Sequence, residues 1–355
     1  MVSDATEPLA DLWRWFADTA CGDYSPLYAR ITRAVADDER LLAWVQAAPP
    51  AAHLPPVLLA AVHYLLLDGL DHPLGDVYTG RSSADPAPLF LDLCRTERPA
   101  LDALLQTRHT QTNDCGRSAL IGPALTWVSE RLQRPLALID VGASAGLNLV
   151  CDRYLLDYGP HGSTGPVSSP VTVRCQIVGG SPPVADRLPP LVSRVGIDRS
   201  PVDVNAPDDA RWLLACVWPD TGRLDRTAAA IALAQADPPT VLSGDALDTL
   251  PAVLDRTPGG SVAVVLTTWS YAYLSIDDRG RFVALLAERS RNRPVAWISA
   301  DDPGVVDAFP AAEADAPPPS GILGASIFDA GNRFDELLAL VHPHGQWLAW
   351  RAPAS

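Results

Sequence analysis

The rhythm of apolar and polar positions changes near residue 130. Before it, Leu12, Trp13, Trp15 and Phe16, then Leu41-Leu42-Ala43-Trp44-Val45, cluster as apolar helix faces. Val57 to Leu70 is a long apolar helix, with Pro55 and Pro56 at its start, where proline suits the first turn. Asn113 or Asp114 can cap a further helix running through Ser118-Ala119-Leu120-Ile121 to Leu132, despite Pro123 inside it. Aromatic residues in this part read as core.

From residue 136 the chain alternates strands and helices. The pattern predicts strands at Leu136–Val141, Arg194–Ile197, Thr240–Leu242, Ser261–Thr267, Val295–Ser299, Ala325–Phe328 and Gln346–Trp350, with Asp335–Val341 as a helix between the last two. That alternation implies an α/β fold: a seven-stranded, mainly parallel sheet with helices on both faces. The last strand is antiparallel, after the turn Val341-His342-Pro343-His344-Gly345. Two domains follow, a helical domain over residues 1–130 that covers the sheet edge and a sheet domain over 131–355. A Gly/Pro-rich insertion at 157–190 contains an alternating edge or hairpin strand, Val171–Val178, and suits a structural or oligomer-contact role better than a lid.

The stretch Leu136-Ala137-Leu138-Ile139-Asp140-Val141-Gly142-Ala143-Ser144-Ala145-Gly146-Leu147-Asn148 carries the most chemistry. It reads as a buried strand, a tight turn and a helix start, a unit that offers backbone N–H groups and a helix N-terminus to a ligand. The same letters fit two chemistries. Asp-x-Gly-x-x-x-Gly has the spacing of the nucleoside-binding loop of S-adenosylmethionine (SAM) methyltransferases. Gly-x-Ser-x-Gly is the nucleophile elbow of a serine hydrolase, with Ser144 as nucleophile, Asp301 or Asp302 as acid and His342 or His344 as base. An elbow sits well inside a sheet, after several strands and an oxyanion segment, whereas everything before Leu136 reads as helix.

The nucleoside reading places more residues. Asp140, Gly142, Ala143, Ser144, Gly146 and Asn148 form the first loop, with Ser144 where a glycine is common. Asp198 ends the second strand, where an acid accepts the ribose hydroxyls, and Asp245-Ala246 follows the third, facing adenine. Trp269, Tyr271 and Tyr273 follow the fourth and offer a cation–π wall for a sulfonium or an amine substrate. Arg117 can hold the methionine carboxylate of SAM or form an interdomain salt bridge. Asn113 would enter the substrate pocket from the other side. Asp301, Asp302 and His109 are the candidate bases, each with a plain alternative as a turn or surface residue.

Composition narrows the chemistry. All 27 basic residues are arginine, so lysine Schiff bases, pyridoxal phosphate enzymes, Walker-A loops and Tyr-x-x-x-Lys dehydrogenases are excluded. The formal charge of −15 repels phosphate backbones and anionic membranes, which argues against nucleic acid as a partner. The six cysteines are dispersed without a Cys-x-x-Cys pair, so no metal site is expected and buried thiols are. No apolar run approaches a membrane span and no signal peptide is visible, which predicts a cytoplasmic protein without membrane association.

Thr112-Asn113-Asp114-Cys115-Gly116-Arg117, the 140–149 loop, Gly196-Ile197-Asp198-Arg199-Ser200-Pro201, Trp218-Pro219, Gly244-Asp245-Ala246 and Thr268-Trp269-Ser270 together resemble the DUF2332 family. The resemblance spans residues 10 to 352. Its members resemble Rossmann-like SAM-dependent methyltransferases, which implies SAM as cofactor and methyl transfer to a small molecule in bacterial, including secondary, metabolism. A homo-oligomer or a protein partner is compatible with it. No methyl-acceptor motif of the Asn-Pro-Pro-Tyr kind is present. A methyltransferase-like fold with different chemistry, or a subunit supporting another biosynthetic enzyme, therefore stays open.

Overall fold

The computed structural model describes residues 3–22, 24–309 and 320–353. The chain divides into two compact units, Met1–Thr112 with Asn205–Ala228, and Asn113–Val204 with Ala229–Ser355.

The first unit is helical. Several helices open on proline: Pro26–Ala36, Pro55–Leu67, Pro73–Tyr78, Pro86–Thr96 and Pro207–Ala215. At those positions the missing N–H would have no intrahelical partner, so proline's fixed φ starts the helix without loss. Ser25 and Asp85 cap two of them by accepting the N–H of Tyr28 and Ala87. The core gathers Trp13, Tyr28, Trp44, Leu58 and Phe90, and the late segment returns Trp212 to it.

Among the described residues the second unit holds twelve strands: β1 Leu136–Val141, β2 Leu155–Asp157, β3 Ser163–Thr164, β4 Thr172–Arg174, β5 Gln176–Gly179, β6 Leu191–Asp198, β7 Val241–Ser243, β8 Val262–Thr268, β9 Val295–Asp301, β10 Gly321–Asp329, β11 Asn332–Val341 and β12 Trp347–Trp350. Among the described residues nine of them form one sheet, in the order β5-β12-β11-β10-β9-β8-β1-β6-β7. The half from β7 to β9 is parallel. β1, β8 and β9 are buried along their whole length, as strands covered on both faces must be. One face packs Ile139, Val141, Val265 and Trp297 against Leu250, Phe282 and Leu286, which lie on helices Ala246–Asp255 and Ile276–Arg289.

The sheet therefore has nine strands where seven were expected. Asp335–Val341 is not a helix but most of β11. Its Glu-Leu-Leu-Ala-Leu run has high helix propensity, yet Ala330 (φ 49°) and Gly331 (φ 85°) make a two-residue turn with both centres left-handed. That turn type locks β10 and β11 into a hairpin with Asp329 opposite Asn332. Long-range pairing overrides the local preference. β9/β10, β10/β11 and β11/β12 are all antiparallel, so antiparallel pairing is not confined to the last strand. The other added strand is β5, which comes out of the 157–190 insertion and pairs parallel to β12 at the sheet edge. β2, β3 and β4 form a separate three-stranded sheet.

The expected helix after the glycine loop is also absent. Leu147–Arg153 is a seven-residue 3-10 segment, broken at Val150 (φ −106°, ψ 22°), with Leu147 to Cys151 all buried. A run whose buried part, Leu147 to Cys151, is apolar apart from Asn148 suits a buried connector better than an amphipathic helix.

Candidate functional site

The order β7-β6-β1-β8-β9 reverses direction at β1: the chain moves outward on one side through β6 and β7, then returns to β8 and β9 on the other. In open α/β sheets such a reversal opens a crevice at the carboxyl ends of the strands. Asp198, Asp140, Thr268 and Asp301 lie at those ends. β11 runs parallel to β9, because two antiparallel pairings separate them. Ile322 faces both Asp301 and Leu340, so the His342–Gly345 turn lies at the same edge.

The glycine loop is closed on itself. Gly142 and Ala143 donate their N–H groups to Ile197 O, Ser144 donates to Asp198 Oδ2 at 2.8 Å, and Gly146 donates to Ala143 O. The backbone N–H groups expected to face a ligand are engaged within the protein. Gly142 (φ 82°) has a second constraint, since a Cβ there would stand 2.5 Å from Ser270 Cβ. Ser144 takes a left-handed φ of 52°. Asp198 receives a further N–H from Ser200 at 2.8 Å, so its carboxylate ties the loop after β1 to the loop after β6. It is half-buried and keeps acceptor capacity, because a carboxylate has about four lone-pair sites.

Below the loop lies a buried polar cluster. Asp140 is 0% exposed and burial pushes its carboxyl up to about 7, against the pull of Arg117 and the Asn148 amide and with a further push from Asp198. Among the described residues the Asn148 amide gives Asp140 only a weak hydrogen bond, neither Asp140 oxygen makes one of full geometry, and Asn148 Oδ1 and Ser144 Oγ, also buried, have no partner. Arg117, 6% exposed, donates to Thr268 O (3.0 Å) and Pro343 O (3.2 Å) and lies over the Trp269 ring at 4.7 Å. Trp269 carries a left-handed φ of 53°, and its Nε1 donates to Asp302 Oδ1 at 3.0 Å. A bulky residue held there marks backbone strain at the carboxyl end of β8. Asp301 is buried beside them, accepts from Ala272 N and Asp302 N, and is pushed up to about 6 by burial.

Other expected site residues have other places. Tyr271 is 4% exposed and packs against Phe282 and Trp297 in the core, while Tyr273 is 84% exposed; the three aromatics form no wall. Their alternation around a short 3-10 turn, Tyr271–Tyr273, sends them in different directions. Asn113 accepts from Leu147 N at 2.9 Å, so it caps the 3-10 segment instead of facing a pocket. Asp245 caps helix Ala246–Asp255 through Leu247 N and pairs with Arg199, which holds its carboxyl below the usual range. Ala246 opens that helix. His109 belongs to the helical unit and is exposed. Ser144 Oγ has no hydrogen bond to a histidine, and the imidazole of His344 faces Asp114 rather than Asp301 or Asp302.

The sequence reading missed one pairing. His344 Nδ1 lies 2.8 Å from Asp114 Oδ2, at hydrogen-bond distance, and Asp114 Oδ1 accepts from Gly116 N. The two residues lie 230 positions apart. The pattern His-Pro-His-Gly and the polar run Asn-Asp-Cys-Gly-Arg were each visible, as a turn and a cap.

A parallel half-sheet with acids at the ends of adjacent strands and a glycine turn at the reversal defines a mixed α/β protein with a crevice at the carboxyl ends of its parallel strands. The chain matches, over residues 10–350, the family described as "Uncharacterized protein conserved in bacteria (DUF2332)", and it belongs to that family. No curated protein matches the chain. Among the described residues no helix is long and apolar enough to cross a membrane.

Proposed function

We propose that the protein binds SAM at the carboxyl ends of β6, β1 and β8 and transfers a methyl group to a small molecule, in the manner of a Rossmann-like methyltransferase. The observation that carries this reading is the set of buried oxygens that, among the described residues, make no full hydrogen bond at the point of strand reversal: both oxygens of Asp140, Asn148 Oδ1 and Ser144 Oγ. Buried polar atoms are rarely left unpaired, and acceptors grouped this way suit a ligand that brings N–H and O–H donors. An α-ammonium and ribose hydroxyls are such donors.

In this reading Asp140, Asn148 and Ser144 hold the amino-acid end and Asp198 uses its remaining lone pairs for ribose. Asp245 and Ala246 border the adenine. SAM supplies an electrophilic methyl group on a sulfonium. The chain's part is to orient the acceptor beside Trp269, whose ring Arg117 and Asp302 fix from two sides. Orientation of this kind accounts for a large share of acceleration in a displacement. The acidic edge, with Asp198, Asp301 and Asp302, suits a neutral or amine-bearing acceptor better than a polyanion.

A second reading, a methyltransferase-like fold with different chemistry, draws on two observations: the loop N–H groups are engaged, and Ser270 sits over Gly142. Calorimetry with SAM and S-adenosylhomocysteine on protein purified without either separates the two. Binding of both at micromolar or tighter affinity supports the first reading; no heat with either ligand sinks it and leaves the second.

A further inference from the structure

We propose that a pocket in the 157–190 insertion binds a small zwitterion, an ammonium and a carboxylate carried on an apolar body, as a free amino acid or a dipeptide presents them. The site lies wholly within the second unit and does not rest on the transferase reading. It is an open pocket of about 650 Å³ whose walls are the stretches 163–168 and 186–188. Direct bonds join those walls. Gly165 donates its N–H to Asp186 O at 2.9 Å, and Thr164 Oγ1 donates to Ala185 O at 2.7 Å. Gly165 takes φ 101°, and a Cβ there would stand 2.1 Å from Tyr154 O, so only glycine lets the first wall run this close to the residue before β2. Behind the second wall, Leu188 reaches Gly122 of helix Ser118–Leu132.

The pocket presents charge of both signs that the protein does not neutralise. Asp186 and Arg187 are exposed and adjacent in the chain, yet among the described residues neither side chain has an ion-pair or hydrogen-bond partner. The same is true of the Ser163 and Ser168 hydroxyls, which line the facing wall. The floor is neutral, because Asp152 pairs with Arg194 there. A lone anion held by Arg187 would stand beside the Asp186 carboxylate, and a lone cation held by Asp186 would stand beside the Arg187 guanidinium. A ligand with both charges meets a partner for each. The planar guanidinium donates two parallel hydrogen bonds to a carboxylate, Asp186 accepts from the ammonium, and the serine hydroxyls serve either end. Pro166, Val167 and Leu188 supply the rest of the lining, with Val167 85% exposed in the empty pocket. Covering that valine favours an apolar body between the charges and solvent.

Calorimetry on the full chain with L-leucine and with L-leucyl-L-leucine tests the site and tells the two sources apart, the tighter binder being the form the pocket takes. At least one of them is expected to bind at about 1 mM or tighter. The N-acetyl and C-terminal amide forms of that ligand, each lacking one charge, are expected to bind about tenfold or more weakly. Arg187→Gln is expected to lower the affinity for the zwitterion to that for the amide and to leave the amide unaffected; Asp186→Asn is expected to do the same with the N-acetyl form. Such non-additivity sets each ligand charge opposite its protein partner. Both positions are exposed, so the variants are expected to melt as the unaltered protein does. No binding of either ligand at about 10 mM overturns the proposal. So does an N-acetyl or amide form that binds as well as the zwitterion, or an Arg187→Gln variant with unchanged affinity.

Discussion

Replacing Asp140 by asparagine tests the buried cluster most directly. The carboxyl is fully buried and rises from an ordinary 3.8 to about 7. The folded state therefore holds this proton more tightly than the unfolded state does. Stability from this group is fully present below about pH 4 and is lost as the pH climbs to about 7, beyond which the loss is complete. A rise of that size corresponds to about 4 kcal/mol between the two limits. Asp140→Asn removes the titration and keeps the shape. Unfolding free energies of both proteins, measured with urea from pH 4 to pH 8 and followed by tryptophan fluorescence, give a difference in which every other titrating group cancels. That difference should move by about 4 kcal/mol in favour of the variant as the pH rises. Any constant packing effect of the amide shifts the whole profile and leaves its slope alone. A difference flat to within about 1 kcal/mol would mean that Asp140 ionises normally in the fold and that its oxygens are not isolated from donors.

Three further expectations follow from individual contacts. Asp198→Ala removes the acceptor for Ser144 N and Ser200 N, so calorimetric SAM affinity should fall and stability should drop by about 2–4 kcal/mol; unchanged values of both would refute the ribose assignment and the loop tie. Tyr271→Ala should destabilise by about 3–5 kcal/mol in urea, as a core truncation does, without changing SAM affinity. Gly345→Ala sets a Cβ against Gly116 O in a left-handed residue; a melting temperature equal to that of the unaltered protein would contradict the described turn.

The parallel half of the sheet was legible because its strands obey local rules. Leu136–Val141 is a continuous apolar run ended by a turn, and its observed bounds coincide with the expected ones. The hairpin β10–β11 was not, because the Leu-rich run after Asp335 is helical by propensity and only the Ala330–Gly331 turn speaks for a strand. Within the site, the positions of Asp140 and Asp198 at strand ends could be counted from periodicity. What each carboxylate touches could not: Asp198 meets the N–H of Ser144 from 54 residues away, and Asp245 meets Arg199. The same limit hid the Asp114–His344 pair. Side-chain partners across hundreds of residues follow from sheet register, and a one-residue slip in register moves every side chain to the opposite face.

The division of the chain into interleaved units bears on how it is made. The helical unit needs Asn205–Ala228, which emerges from the ribosome after β1, β5 and β6 of the sheet, and the sheet needs the late strand β12 to pair with β5. Neither unit is complete when the other begins. Loop closure over such spans must precede the contacts that reward it, so folding is expected to be slow and to wait for late segments. A fragment ending near residue 112 would lack Trp212 and the helix that carries it, and would expose the apolar surface of Val57–Leu67 to other nascent chains.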